Sequence, residues 1–168
     1  APGILRDCGE KGIRAAVIVS DGFGEAGPEG KARQEELLGI ARSCSIRVMG
    51  PNTIGVFNSE NRFTTVPYDR GYEYNKKGKL SIITQTGMYS PQAMAWNEYE
   101  AGINKVIDLG NMCDIDETDC LEYLGEDDST EVISLYMEHS RRPGVFLDVL
   151  KKVSKKKPVL CLKPGGSP

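Results

Sequence analysis

A turn with two hydroxyl side chains follows one of the apolar runs of the sequence and could bind an oxyanion. It consists of Thr84, Gln85, Thr86 and Gly87. Hydroxyl groups and backbone N–H groups at the start of a helix bind phosphate and similar anions, helped by the positive end of the helix dipole. Many turns between a strand and a helix carry Thr and Gly only to begin the helix. On these four residues alone, both interpretations stay open.

The second candidate for chemistry is a carboxylate, Glu138, just after the apolar run 132–136. A carboxylate beside the dry interior could orient an imidazole or have a raised pKa, whereas one on the rim is simply solvated. His139 follows directly and is the only histidine of the chain. Because neighbouring side chains of a strand point to opposite faces, we expect the two not to face each other. We therefore expect His139 to be a surface or packing residue.

A third turn, with Gly50, Pro51, Asn52 and Thr53, follows the apolar run 46–49. Proline makes such a turn rigid and asparagine tolerates unusual backbone angles. Turn geometry alone is therefore a sufficient explanation of these residues, unless a wider pattern gives them another role.

These turns have in common that each follows an apolar run long enough for a strand. The alternation of such runs with helical patterns is typical of α/β proteins whose parallel sheet is covered on both faces. In open parallel sheets, ligands bind beyond the carboxyl ends of the strands, which is where the turns lie. The predicted strands cover residues 15–19, 46–49, 80–84, 105–109, 132–136 and 158–162.

A polar stretch over residues 58–79, rich in Asn, Tyr, Gly and Lys, separates the first two predicted strands from the other four. It has no sustained apolar period, so we expect it to connect two domains. The predicted domains cover residues 1–72 and 73–168. The first holds one βαβ unit with a helix over residues 28–44, and the second holds the longer alternation.

The composition excludes several classes of protein. With 39% apolar and 27% charged residues the chain is typical of globular proteins, and a net charge of -3 without a broad basic region argues against nucleic-acid binding. No apolar run approaches the roughly 18 residues that span a bilayer, so we expect no membrane contact and a cytoplasmic location. The five cysteines contain no C-x-x-C pair, and with a single histidine they predict neither disulfides nor a metal site.

Taken together, the turns resemble one family in order and spacing. These are the ADP-forming acetyl-CoA synthetases, which are NDP-forming acyl-CoA synthetases related to the alpha subunit of succinyl-CoA synthetase. Six short segments carry the resemblance and cover nearly the whole chain. They are Gly22-Phe23 with Glu25, Gly50-Pro51-Asn52 with Gly55-Val56, Thr84-Gln85-Thr86-Gly87, Leu109-Gly110-Asn111 with Asp114 and Asp116, Tyr136-Met137-Glu138, and residues 158–165.

This resemblance implies an α/β fold in which the C-terminal half of a Rossmann-like CoA-binding domain precedes a flavodoxin-like domain with a parallel sheet. It implies a reversible ligase: acyl-CoA and phosphate give an acyl phosphate, the phosphate moves to a histidine, and an ATP-grasp domain or subunit passes it to ADP. CoA would bind this chain, whereas ATP or ADP and Mg²⁺ would bind only the ATP-grasp partner. Acyl-CoA is the expected small-molecule substrate, and we expect the protein to form an oligomer.

The resemblance also implies roles for particular residues. Glu138 would orient and polarise the phosphorylated histidine, and residues 84–87 would bind the phosphate. Asn52 and Thr53 would lie near the thiol end of CoA. The candidates for supporting these contacts are Asn111 and Asp114.

The sequence departs from the family pattern at several positions. Thr84 and Thr86 replace serines and Thr53 replaces a cysteine, which keeps hydroxyl groups in the turns but adds β-branched bulk. The family's phosphorylated histidine lies beyond the turn at residues 163–165 and outside this chain, so His139 is not assigned that role. We expect the second domain to be truncated at its C-terminus and this chain alone to be inactive.

Pro91 is a departure that concerns the phosphate turn itself. A proline four residues after Gly87 lacks the N–H that a helix beginning at Gly87 needs. Ser90 as the N-cap with Pro91 at the first helical position is the easier arrangement. It moves the helix start by about one turn, roughly 5 Å, and we expect weaker phosphate binding as a result.

Two other functions stay open. The changed hydroxyls and Pro91 fit a non-catalytic homologue that acts as an assembly or acyl-CoA-sensing module. An unrelated flavodoxin-like binding module is the third, and it leaves the first βαβ unit without an explanation.

Overall fold

The computed structural model of the protein describes residues 1–65, 77–87 and 102–165. Within them, no helix is both long and apolar enough to cross a bilayer. The helices of these residues are α1 (Pro2–Glu10), α2 (Pro28–Ser43), α3 (Glu117–Glu126) and α4 (Pro143–Val153), with a 3-10 turn at Gly24–Ala26. The strands are β1 (Ala15–Val17), β2 (Arg47–Met49), β3 (Val56–Asn58), β4 (Phe63–Thr64), β5 (Leu80–Thr84), β6 (Ile103–Asp108), β7 (Val132–Tyr136) and β8 (Val159–Leu162).

The first unit is a small parallel sheet with helices packed against it. β1 and β2 pair in parallel, and α2 lies between them in the chain. Leu37 of α2 and Leu5 of α1 share one buried cluster with Val48 of β2. The predicted βαβ unit is thus present, although β1 already ends at Val17 and β2 begins only at Arg47.

The larger sheet has six strands in the order β4-β3-β6-β5-β7-β8. β6, β5, β7 and β8 run parallel to one another, which confirms the predicted parallel sheet. β3 and β4 extend the sheet on one side, and β3 runs antiparallel to both β4 and β6. An antiparallel edge on an otherwise parallel sheet is common in α/β proteins.

β3 and β4 were not predicted, and β4 lies in the stretch 58–79 that the sequence suggested as a connection. Both are very short, and Phe57 is the single buried residue in them. Neither therefore has an apolar run from which a strand could be predicted. By hydrogen bonding the two strands belong to the larger sheet, while the domain boundary between residues 72 and 73 stays a prediction.

β6 begins at Ile103, two residues earlier than predicted. The prediction missed this start because the strand buries polar side chains there. Asn104 is fully buried and Lys105 is only 5% exposed. The Lys105 ammonium donates to the Asp127 carboxylate at 2.7 Å and to the Ser129 hydroxyl at 2.6 Å. A strand whose buried polar groups are satisfied by such a network shows no apolar run in the sequence.

α3 and α4 pack on one face of the larger sheet and form its main apolar core. Leu121 and Leu124 of α3 and Phe146 of α4 share a buried cluster with Ile133 and Leu135 of β7. Burying each of these side chains stabilises the fold by about 2 kcal/mol. The core thus fixes β7 and, with it, the position of the turn that follows this strand.

Candidate functional site

Turns after β1, β2, β5, β6 and β7 meet in one cleft at the carboxyl ends of the strands, here called the central cleft. Its volume is about 470 Å³. Four of the residues predicted from the sequence line it, namely Asn52, Gln85, Asn111 and Glu138. The other polar side chains of its wall are Glu25, Lys31, Gln34 and His139.

Backbone hydrogen bonds hold the turn after β6 against the turn after β2. The N–H of Asn111 donates to the Pro51 carbonyl at 2.8 Å, and the N–H of Cys113 donates to the Gly50 carbonyl at 3.0 Å. Gly110 has a φ of 55°, and a Cβ there would lie 2.3 Å from the Pro51 oxygen. Only glycine therefore allows the close approach that forms this wall of the cleft.

Asn111 connects three other residues of the central cleft. Its amide donates to the Glu25 carboxylate and, at 3.1 Å, to the side-chain oxygen of Gln34. Its own oxygen accepts from the Asn52 amide at 3.4 Å. Burial opposes ionisation of Glu25, but the hydrogen bonds from Asn111 and from backbone N–H groups, including that of Phe23, bring its pKa below the usual value. Glu25 is therefore an ionised carboxylate on the cleft wall.

The side chain of Gln85 is bonded to the backbone of the turn after β7. Its Oε1 accepts from the N–H of Glu138 at 2.7 Å and from the N–H of His139 at 3.1 Å. Its Nε2 donates to the His139 carbonyl at 2.6 Å and to Met112 Sδ at 3.4 Å. Both donors and both acceptor positions of this amide therefore have partners within the protein.

Glu138 and His139 lie in a turn beyond β7, which ends at Tyr136. The alternation of a strand does not reach them, so the reason for expecting that they do not face each other does not apply, and both line the central cleft. His139 is exposed, as predicted for a surface residue. The Glu138 carbonyl accepts from Lys163 at 3.3 Å, while the Glu138 carboxylate has no hydrogen-bond partner among residues 1–65, 77–87 and 102–165.

The three residues that follow His139 are also held by side-chain contacts. The Ser140 hydroxyl donates to the buried Glu117 carboxylate. The Arg141 guanidinium donates to the Asp114 carbonyl, and the Arg142 guanidinium makes an ion pair with Asp116. The turn over residues 138–142 is thus fixed at every position, and the Glu138 carboxylate extends from a rigid support.

Thr84 is fully buried, and its hydroxyl is used inside its own turn. It donates to the Thr86 carbonyl at 2.9 Å and accepts from the Thr86 N–H at 3.1 Å. Thr86 is half-buried and Gly87 is exposed, and of the predicted phosphate turn the central cleft includes only Gln85. The prediction of a late helix start falls on Ser90 and Pro91, which lie outside the described residues.

Thr53 is buried beneath the turn that follows β2. Its hydroxyl donates to the backbone carbonyl and, at 3.1 Å, to the carboxylate of Asp108, and accepts from the Gly55 N–H at 2.9 Å. Burial raises the pKa of Asp108, although the hydrogen bonds from Ile54 and Thr53 favour its ionised form. The structure therefore places Thr53 in the interior, and Asn52 is the residue of this pair that lines the cleft.

Asp114 lies outside the central cleft, in an ion-pair network that joins the two sheets. Its carboxylate accepts from Arg47 Nε at 2.8 Å and from the Val48 N–H at 2.8 Å. Asp119 extends the network, because it pairs with Arg47 at 3.3 Å and with Arg142 at 2.7 Å. Asp114 thus supports the site indirectly, by holding β2 against the start of α3.

α3 begins at an N-cap, Asp116, that belongs to the same network. The Asp116 carboxylate accepts from the N–H groups of Thr118 and Asp119, and the Asp119 side chain accepts from the Asp116 N–H, which completes a capping box. Burial disfavours the charge on Asp116, but hydrogen bonds from Arg142 outweigh it and hold the pKa of Asp116 below its usual value. The residue before α4 is thereby fixed to the start of α3.

The part of the chain that the structure describes has no group of three His, Cys, Asp or Glu side chains that could hold a metal ion. Its cysteines are free thiols. Burial raises the pKa of Cys113 to about 11 and also raises that of Cys120. Both thiols are protonated at neutral pH and are poor nucleophiles.

Two residues of the cleft had no signal in the sequence analysis. Lys31 and Gln34 lie on α2, three positions apart, and so share one face of the helix. The start of a helix that follows β1 lies near the carboxyl ends of the strands, so this spacing could have indicated them. Glu25 entered only as one member of a motif, although it is an ionised group of the site.

Parallel strands with α3 and α4 on one face and a cleft beyond their carboxyl ends define a flavodoxin-like α/β domain, here joined to a small βαβ unit. A comparison with known protein families gives the same fold class. Residues 77–168 match the family described as the succinyl-CoA ligase like flavodoxin domain. The chain belongs to this family.

Individual relatives confirm the resemblance to ADP-forming acyl-CoA synthetases. Two alpha subunits of ADP-forming acetate–CoA ligases from Pyrococcus furiosus are 37% and 39% identical over 99% and 97% of this chain. A solved structure of acetyl-coenzyme A synthetase 1 from Ca. Korarchaeum cryptofilum, in complex with phosphate and ADP, is 32% identical with a TM-score of 0.88 over 97% of this chain. The chain spans 36% and 35% of the two ligase subunits and 35% of the solved chain, which is about a third of each.

Proposed function

We propose that this chain is the part of an NDP-forming acyl-CoA synthetase that contacts the thiol end of CoA and carries the carboxylate for the phosphorylated histidine. The position of Glu138 is the observation that supports this most directly. Its backbone is held by Gln85 and Lys163, while Glu138 lines the central cleft and its carboxylate has no partner in the described part of the chain. A carboxylate held in this way is suited to accept the ring N–H of a histidine.

The proposed reaction of the whole protein converts acyl-CoA, phosphate and ADP into a carboxylic acid, CoA and ATP. A phosphate oxygen attacks the thioester carbonyl, the carbon–sulfur bond breaks, and CoA leaves as its thiolate and takes up a proton. A histidine nitrogen then takes the phosphoryl group from the acyl phosphate, which releases the carboxylate, and ADP takes it from the histidine. Hydrogen-bond donors fixed at the strand ends stabilise the charge that moves in these steps.

In this reaction Glu138 accepts the N–H of one ring nitrogen. The other ring nitrogen then carries the lone pair that attacks phosphorus, and the carboxylate stabilises the positive ring that results. His139 receives no such role, because the family resemblance puts the phosphorylated histidine beyond the turn of residues 163–165. Glu138 therefore acts on a residue that the described chain does not include.

The central cleft fits the reacting end of a CoA thioester. The Asn52 amide lines the cleft and, with one N–H bonded to Asn111, has a second N–H that can donate to a carbonyl oxygen. Thr53 shapes this wall from below, since it is buried on Asp108. Phosphate contacts come from Thr86 and Gly87, with the Thr84 hydroxyl holding the geometry of their turn.

Nucleotide and Mg²⁺ bind an ATP-grasp domain or subunit in this proposal. Within the described residues there is no acidic or histidine cluster for a metal ion. The solved relative with phosphate and ADP is a chain of which this one covers 35%. An oligomeric assembly and a cytoplasmic location are further parts of the proposal.

The decisive variant is Glu138→Gln in the full-length protein. We expect it to lower the rate of histidine phosphorylation by about 100-fold or more, because the amide no longer provides a negative acceptor. Glu131→Gln is the matched control: Glu131 precedes β7 at the opposite end of the strand, and its exposed side chain pairs with Lys79 at 3.4 Å. An equal rate of phosphohistidine formation in the wild type and Glu138→Gln would refute the role of Glu138.

Measurements on the wild-type full-length protein also distinguish the proposed ligase from the alternative, a non-catalytic assembly or acyl-CoA-sensing module. Absence of CoA-dependent and acid-dependent ADP formation in the wild type, with no calorimetric heat for CoA or phosphate, would favour an assembly module. Binding of acyl-CoA without turnover would favour a sensing module.

A further inference from the structure

We infer that Gln85 is a positioning residue, whose side chain fixes the turn that bears Glu138 and does not bind phosphate. The inference rests on the proposed function, because it concerns the carboxylate assigned to phosphoryl transfer. It changes the role that the family resemblance gave to Gln85, and it leaves Thr86 and Gly87 as the phosphate contacts of their turn.

Gln85 continues the pairing of β5 with β7 beyond the last strand residues. Thr84 lies opposite Tyr136 in the parallel register, and the Gln85 N–H donates to the Tyr136 carbonyl at 3.2 Å. From there the side chain takes over, since its Oε1 accepts from the N–H groups of Glu138 and His139. The side-chain amide thus holds the turn after β7 against the end of β5, as backbone hydrogen bonds hold the two strands together.

No hydrogen-bonding capacity of the Gln85 amide is left for an oxyanion. Its oxygen accepts two N–H groups, and its nitrogen donates to the His139 carbonyl at 2.6 Å and to Met112 Sδ at 3.4 Å. A phosphate could gain a donor from Gln85 only if one of these bonds broke. Breaking the shorter bond would release the turn on which the Glu138 carboxylate depends.

Loss of the Gln85 side chain affects a limited region. Residues 140–142 have their own contacts with α3 and with the residues before it, so they stay in place. The N–H groups of Glu138 and His139 lose their acceptor, and both residues are exposed enough to bond water instead. The variant therefore folds, with a displaced Glu138.

The test compares Gln85→Met with Thr86→Val in the full-length protein, in the direction of ATP formation. Methionine keeps the length of the side chain but neither accepts nor donates as an amide does. We expect Gln85→Met to lower kcat by about 100-fold through misplacement of Glu138, with KM for phosphate within about twofold of the wild type. Thr86→Val should instead raise KM for phosphate.

A second readout does not depend on turnover. Hydrogen exchange of the Glu138 and His139 amides, measured without substrates, should become at least about tenfold faster in Gln85→Met, because both amides lose their acceptor. Unchanged exchange would overturn the inference, as would a normal kcat with a raised KM for phosphate. An inactive wild type would refute the proposed function alone, since the exchange experiment would still decide the role of Gln85.

Discussion

Asn111 and Glu25 are 86 positions apart in the sequence, yet the side-chain amide of Asn111 donates directly to the Glu25 carboxylate. The same carboxylate accepts from the N–H groups of Gly22 and Phe23. A single hydrogen bond therefore ties the turn after β1 to the turn after β6. It joins the small sheet to the larger one at the wall of the central cleft.

Replacement of Asn111 by aspartate should raise the pKa of Glu25. The substitution exchanges a donor for a second carboxylate, and like charges disfavour ionisation. Asn111→Ala removes the donor without adding charge and should raise the pKa less. NMR titration of the Glu25 carboxyl carbon measures both, and an unchanged pKa in Asn111→Asp would show that this hydrogen bond is absent in solution.

Thr53→Val should lower stability and leave CoA binding nearly unchanged. The variant removes a buried hydroxyl that serves the Asp108 carboxylate and the Gly55 N–H, at a cost of about 2 kcal/mol. Urea unfolding measures the loss, and Thr53→Ser is the control that keeps the hydroxyl. A large rise in KM for CoA in Thr53→Val, with normal stability, would instead support a direct contact.

Asp127→Asn should destabilise the protein by about 3 kcal/mol, because it leaves the buried Lys105 ammonium without a counter-charge. Asp128→Asn is the neighbouring control on an exposed side chain, and it should stay within about 0.5 kcal/mol of the wild type. Adding Lys105→Met to Asp127→Asn should recover part of the loss. Equal unfolding midpoints for the two single variants would contradict the prediction.

Stability should fall in acid below about pH 4. Burial works against the charge on Asp127, but hydrogen bonds from Lys105 lower its pKa to about 2. A lowered pKa contributes stability above the unfolded value of 3.8 and loses it as the pH falls toward the folded value. Asp116 acts in the same direction. Unfolding of Asp127→Asn between pH 5 and about pH 2 should show a shallower loss.

The contribution of Asp108 to the pH dependence of stability has the opposite sign. Its raised pKa means that the folded state binds a proton more readily than the unfolded state, so stability rises as the pH falls through the folded pKa toward the unfolded value of 3.8. Asp108→Asn should remove this component of the pH profile.

Gly110→Ala should destabilise the protein by at least about 2 kcal/mol, because the new Cβ meets the backbone of residues 51 and 52 at a positive φ. Gly144→Ala is the matched control: Gly144 lies in α4 with open space around its Cβ position, so alanine should add about 0.5 to 1 kcal/mol of stability. Thermal unfolding of both variants gives the comparison. A neutral Gly110→Ala would show that the turns after β2 and β6 can separate without cost.

The sequence predicted best the strands whose buried residues are apolar or carry only a short hydroxyl side chain. β5 and β7 begin and end at the predicted residues, since their runs are apolar and follow polar segments. The start of β6 was missed because Lys105 is buried through Asp127, a partner 22 positions away that no local pattern indicates. β3 and β4 are too short to show a period at all.

The site was predicted to the level of its turns but not to the level of its side chains. Asn52 and Asn111 line the cleft, whereas the Thr53 and Thr84 hydroxyls turn into the interior. A turn sequence does not tell on which side a hydroxyl finds its partner. Asp114 matched a motif, but its partner is Arg47, which only the tertiary fold brings near.

The pairing of β3 with β6 has a consequence for dissecting the protein. A cut between residues 72 and 73 would leave Val56–Asn58 on the upstream fragment, although in the intact chain this strand pairs with β6 of the downstream fragment. Expression of residues 73–168 alone would uncover the edge of β6 and invite self-association. Separately produced fragments should instead recognise each other, so this chain is suited to complementation between fragments rather than to independent halves.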